Sequence, residues 1–412
     1  MTVATTAISL DAAAIADISN RLDEPDWLRD LRAAWWERAS STPPPTGQEE
    51  EWRRTDLATL PRDGRLLTDA PMLEVGGVET PGVILTDLRT AVVEHPDLVR
   101  RFLGQGEPQA SHAHFWALAQ AAWTGGLFCY VPKGVHVDGT LVARTALPAS
   151  DVTYLPVSLV VAEEGSRVSL LQQVTSPDGA AGWFGGIAEV VAGQGAEVRF
   201  ANLQQLGNEM WNIGAQRVVV GRDAHVTTLD AEVGSRITKV GLDAEMSGKG
   251  GTSKLLGLLA AGDDQHIDIN AHQVLGADYT TSDLLYLSAL YDQARAAFYG
   301  VTLVEQGTRQ TSSYQECRNL LLSPNAGAEP IPVLEIKAND ILRCGHGATA
   351  GAIDPIQLFY AQTRGLDPDA AERMIVRGFF EQVVSQIHDE TIRADVLTAL
   401  AGRIGFADED AA

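Results

Sequence analysis

Cysteine is scarce in this chain: Cys129, Cys317 and Cys344 are the only three among 412 residues, and none pairs in a C-x-x-C spacing. So odd and sparse a set excludes a disulfide framework and points to a reducing, cytoplasmic setting. Basic residues are also short. Thirty-one Lys and Arg stand against 54 Asp and Glu, and the net charge of −23 argues against nucleic acid or anionic membrane as a partner. The acidity is spread along the chain and reads as a solubility feature. No apolar run reaches the roughly 18–20 residues that span a bilayer. Residues 1–20 carry Asp11 and Asp17 and lack the basic and apolar regions of a secretory leader. A soluble protein is expected. The chemistry motifs are missing too: there is no G-x-x-x-x-G-K-[ST], no H-E-x-x-H and no G-x-S-x-G. Gly185-Gly186 and Gly248-Lys249-Gly250-Gly251 lack the dinucleotide fingerprint and read as turns. A self-contained enzyme is hard to build from what remains.

What is present suits a large folded chain. Hydrophobic residues make up 45% of it, and its length calls for two or three structural units. Residues 1–125 read as a mostly helical lead-in. Asp26 is a candidate N-cap for a helix over 26–39, with Trp27, Leu31, Ala34 and Trp35 at helical spacing. Pro43-Pro44-Pro45 must end it. The charged segment Glu49 to Asp56 reads as a solvated helix start, anchored by Trp52. Phe115, Leu118, Ala119 and Ala122 mark another helix over 110–123.

From 126 to 352 the pattern changes to short β-branched runs separated by turns. Four turns, at Gly165, Gly195, Asp223 and Gly250, recur at roughly 27–30 residues, a period that marks a repeat architecture. Coils stacked as a β-solenoid are expected, capped by the helical regions at either end, with a β-sandwich as the rival. In His266-Ile267-Asp268-Ile269-Asn270-Ala271-His272, extended geometry turns Ile267, Ile269 and Ala271 inward and gathers the polar residues on the other face. That face reads as solvated sheet surface, or as a two-histidine, one-carboxylate metal set. Residues 353–412 turn helical again. Asp354-Pro355 and Asp367-Pro368 are start signals and Gly365 a stop. Ala371, Met374, Ile375, Phe379, Val383 and Ile387 trace one apolar face, which packs on the solenoid end or presents a groove to a partner. A third helix is expected over 390–403.

Cys344 and His346 form the one soft-ligand pair. On a strand they share a face, which suits iron, copper or zinc; two ligands do not close a site, so others must come from elsewhere. A half-buried cysteine beside an ordinary histidine would look the same.

The segments Gln315 to Ser323, Pro332 to Ala338, Cys344 to Gly351, Leu358-Phe359-Tyr360 with Arg364-Gly365, Glu51 to Asp56 and Gln265 to Asp268 together resemble the SufB/SufD family of iron–sulfur cluster assembly proteins. The SufD branch is favoured. Ala326 stands where the SufB branch carries a cluster-building cysteine, while Cys344 to Thr349 matches the SufD Cys-x-His-Gly-Ala-Thr stretch. Cys317 departs from this, standing where SufD relatives mostly have asparagine and SufB relatives cysteine. The resemblance implies a right-handed parallel β-helix flanked by helical regions. It implies a non-catalytic scaffold subunit that pairs with SufB through the carboxyl-terminal end of the β-helix and binds the SufC ATPase through its carboxyl-terminal helices. It also implies that Cys344, His346 and, more weakly, Cys317 meet iron or a transient iron–sulfur cluster at the seam, with ATP entering only through SufC. Two alternatives compete: a SufB-like scaffold subunit, and a β-helix enzyme acting on acidic carbohydrate through Asp268 with His266 or His272. The latter needs a basic residue near that face, and the sequence shows none nearby.

Overall fold

The computed structural model describes residues 10–61, 65–107, 110–149 and 151–404. Two parallel sheets wind around one lumen. From Gly126–Val131 and His136–Ala146 onward, the chain adds one strand to the first sheet and then one to the second, ending in Gly327–Ile336 and Asp340–Ala352. Each coil pairs in register with the coils before and after it, so the fold is a parallel β-helix. Short antiparallel strands, Leu73–Gly76 and Ile84–Asp87, close the amino-terminal edges of the two sheets. At the other end, among the described residues, no strand pairs with the outer edge of either sheet.

The turn period has a direct physical cause. Gly165, Gly195, Asp223 and Gly250 all sit in the left-handed region, at φ +67, +65, +53 and +75. Their N–H groups donate in sequence to the carbonyls of Gln194, Arg222, Lys249 and Asp278. The turns therefore stack as a ladder of their own. Asp263 and Asp292 do the same work at the opposite corner, where the N–H of Asp263 is held by the Asp292 carboxylate.

Inward side chains such as Val160, Val190, Val218, Leu242 and Ile269 fill the lumen. Outward side chains are covered by helices on both flanks. On the first sheet lie helices Ala12–Arg21, Asp26–Ser41 and Ala113–Ala122, which bury Trp35, Trp116 and Trp123 with Leu159, Val161 and Trp211. On the second sheet lie Pro368–Val384 and Glu390–Ile404, which bury Val376, Phe380, Val383 and Val396 against Leu229, Leu256 and Leu287. Three local expectations need correction. Pro25, not Asp26, stands at the N-cap and makes no side-chain cap bond. Glu49 to Asp56 is a run of turns rather than a helix, although Trp52 is the buried anchor expected. The carboxyl-terminal apolar face packs on the flank of the solenoid, not on its end. The signals at Asp354, Asp367 and Gly365 hold: both aspartates cap helices, and Gly365 takes φ +98.

Candidate metal site at an open sheet edge

Asp340–Ala352 is the last strand of the second sheet, and among the described residues nothing pairs with its outer edge. Its inner edge pairs with Arg309–Leu321, with Cys344 beside Ser313, His346 beside Gln315 and Ala348 beside Cys317. Ser313, Gln315 and Cys317 are all buried lumen-side residues, so alternation carries Cys344 and His346 onto the lumen side of the final coil. Cys344 packs against the lumen's apolar cluster, is half-buried, and has its thiol pushed up by that burial. His346 is exposed. On the outer face, Gly345 and Gly347 lie against Tyr314, whose ring carries the Arg343 guanidinium 5.0 Å from its centroid. Arg343 also reaches Asp283 at 2.7 Å. The Cys344/His346 pair thus rides on a strand pinned from behind.

Cys317 lies one strand deeper. It is buried, its thiol is pushed up to about 12 by desolvation, and Asn319 Nδ2 donates to its sulfur at 3.6 Å. Ala348 of the final coil stands next to it, so Cys317 does not reach the open face with Cys344 and His346. Among the described residues no three His, Cys, Asp or Glu side chains converge as a metal site. The shortage of ligands read from the sequence persists in three dimensions.

The two open edges differ. Gly327–Ile336 carries Pro330 and Pro332, which lack the N–H that a further strand would use. Asp340–Ala352 has no proline along its thirteen residues and offers a full row of donors and acceptors. Exposed Leu342 adds apolar surface beside it.

The His266–His272 face is neither solvated nor a metal set. Residues 49–56 lie across it as a strap. Lys239, one coil earlier, is in register with Asp268, and its Nζ sits 2.8 Å from the carboxylate with both side chains sealed from solvent. The same ammonium donates to Asn270 Oδ1 at 2.9 Å and to the Glu51 carbonyl, and lies 5.1 Å from the Trp52 ring centroid. Thr55 donates its hydroxyl to Asp268 at 2.7 Å. His272 is buried, and desolvation with Lys239 nearby pushes it down to about 4. So the basic residue judged absent is present, and Asp268 is spent on it. The groove required by a carbohydrate enzyme is closed. Lys239 was findable: the 27–30-residue period places it next to Asp268. Arg54 joins the strap to the final coil through Glu329 at 3.0 Å.

With this geometry in view, comparison with known proteins decides the family. The model of the SUF system FeS cluster assembly SufBD core domain matches residues 145–379, more than half of the chain. The chain belongs to the SufBD family. A relative is SufD of Bacillus subtilis, described as an iron–sulfur cluster assembly protein; it is 26% identical, with 97% of this chain and 99% of that protein aligned. A SufBD family protein of Staphylococcus saprophyticus is 27% identical over 75% of this chain, and the match spans 66% of its length. The SufBD match begins and ends within the β-helix and the first part of the carboxyl-terminal helices. It therefore includes the Cys344/His346 edge and leaves the strap outside.

Proposed function

We propose that this SufBD chain is a SufD-type scaffold subunit that pairs through its open coil with a sister SufB-type subunit and holds iron or a nascent cluster between them as cargo. The observation that carries this reading is the free edge of Asp340–Ala352, which presents an unclosed Cys344/His346 pair beside unsatisfied strand groups. A strand from a second subunit would satisfy those groups by edge addition and bring the missing ligands to the same place. Burial favours the neutral Cys344 thiol, whereas a metal binds the thiolate; loading therefore releases a proton and is aided by rising pH. Cys317 would join only if the final coil shifted away from it.

The carboxyl-terminal helices supply a second surface. Their apolar face is already buried on the solenoid, yet Ile356, Phe359, Tyr360 and Met374 remain exposed on Pro355–Thr363 and the start of Pro368–Val384. This patch suits the SufC-type ATPase expected from the family. ATP would enter through that partner, because this chain carries no phosphate loop of its own.

The reading is tested by co-expression with SufB- and SufC-type partners and anaerobic purification of the complex. Wild type is expected to co-purify with iron, and His346→Ala to assemble normally but hold less iron and yield fewer clusters. An unchanged yield would remove His346 from the mechanism, and failure to form the complex would remove the pairing.

A further inference from the structure

The lumen is not apolar throughout. In the middle coils Gln172, Asn202 and Asp230 stand in one register row of the second sheet, with Gln204 and Glu232 in the row beside it. Asn212 and Gln216 face them from the first sheet. The next coil places Gly257 beside Asp230 and Tyr286 beyond that. A Cβ on Gly257 would lie 2.1 Å from the Tyr286 ring, so the missing side chain is what lets Tyr286 lean back and donate its hydroxyl to Asp230 at 2.7 Å. Asn212 Nδ2 donates to Glu232 Oε2 at 3.1 Å.

Other polar atoms in this region have no protein partner. Gln172 Oε1, Gln216 Nε2, Thr228 Oγ1 and Glu232 Oε1 are all buried and unpaired. Beside Gln172 and Gln216 lies a cavity of about 30 Å³, with Gln204, Asn212 and Asp230 also in its lining and no basic side chain. One water needs roughly 10–15 Å³ measured this way, and two to four polar partners. Left dry, each orphaned group would carry the full penalty of its lost hydration.

We propose that the middle of the solenoid holds a water-binding chamber, in which internal water completes the hydrogen bonds of Gln172 and Gln216. The donor–acceptor pattern fits. Gln216 can donate to a water, which donates in turn to an amide or carboxyl oxygen across the lumen. Burial pushes Glu232 up to about 8 and Asp230 to about 6, so near neutral pH the pair carries a proton with no counter-cation facing it. The chamber is separate from the open-edge site and independent of any partner.

A high-resolution crystal structure of the full chain tests this directly. Density for at least one ordered water within hydrogen-bonding distance of Gln172 or Gln216 and of a second lining side chain is expected. Solution measurement of long-lived internal water by magnetic relaxation should agree, with at least one such water lost in Gln216→Leu. An empty cavity, or Gln172 and Gln216 rotated to bond other protein groups directly, would overturn the proposal. So would an unchanged long-lived water count in a folded Gln216→Leu variant.

Discussion

Lys239 and Asp268 form an ion pair 2.8 Å long with no solvent access to either side chain, and the amino-terminal strap completes it. The pair is in register on neighbouring coils, where Asn270 also accepts from Lys239, but the Glu51 carbonyl and the Thr55 hydroxyl reach it from 188 and 213 residues away in the chain. Removing one partner leaves the other charge buried and unpaired. Lys239→Met should therefore destabilise the fold by about 3–5 kcal/mol. The double variant Lys239→Met/Asp268→Leu should recover much of that loss. Urea denaturation of the two variants against wild type measures it, and equal losses in both would show that the charge pair is not the cause.

The lumen carboxyls give stability a particular pH dependence. Glu232 is held at about 8 in the folded chain against an ordinary value near 4.5, so the fold binds more protons than the unfolded chain between those limits. Its contribution is fully present below pH 4.5 and is lost as pH rises through about 8, with a limiting slope of about 1.4 kcal/mol per pH unit. Glu232→Gln cannot titrate there. The difference between wild-type and variant stability curves should slope through that window, and a flat difference would refute the assignment.

The three thiols should separate by reactivity. Cys129 and Cys317 are buried and both are pushed up to about 12, while Cys344 is half-buried at the edge. A thiol-specific reagent near neutral pH should modify one cysteine in the native chain and all three in denaturant. Cys344→Ser should abolish the native signal. If a sister subunit covers the edge, complex formation should slow the reaction.

The exposed patch on the carboxyl-terminal helices should behave as a binding anchor. Phe359→Ala and Tyr360→Ala remove largely exposed aromatic surface, Tyr360 meeting only the neighbouring Arg364 of its own helix end, so neither should lower the melting temperature appreciably. Truncating an interface anchor typically costs at least about 2 kcal/mol, or roughly 30-fold in affinity. Titration calorimetry with a SufC-type ATPase measures this. Unchanged affinity in the double variant would place the docking surface elsewhere.

Much of the solenoid was legible because its causes are local. A left-handed residue must recur at each corner, so Gly165, Gly195, Asp223 and Gly250 announce the coil length. Alternation sorts Ile267 from Asp268, and Asp354-Pro355 or Asp367-Pro368 starts a helix wherever it stands. By itself the sequence therefore determined the coils, the carboxyl-terminal helix starts and the shared face of Cys344 and His346. What covers each face was decided only by tertiary structure. Alternation shows that Asp268 turns outward, but not that Trp52 and Thr55 return to bury it. Helical periodicity shows an apolar stripe on Pro368–Val384, but not that the solenoid flank claims it. Likewise, the row that brings Tyr286 over Gly257 to Asp230 exists only once three coils are stacked. Backbone preference acts over a few residues, whereas burial depends on which distant surfaces meet.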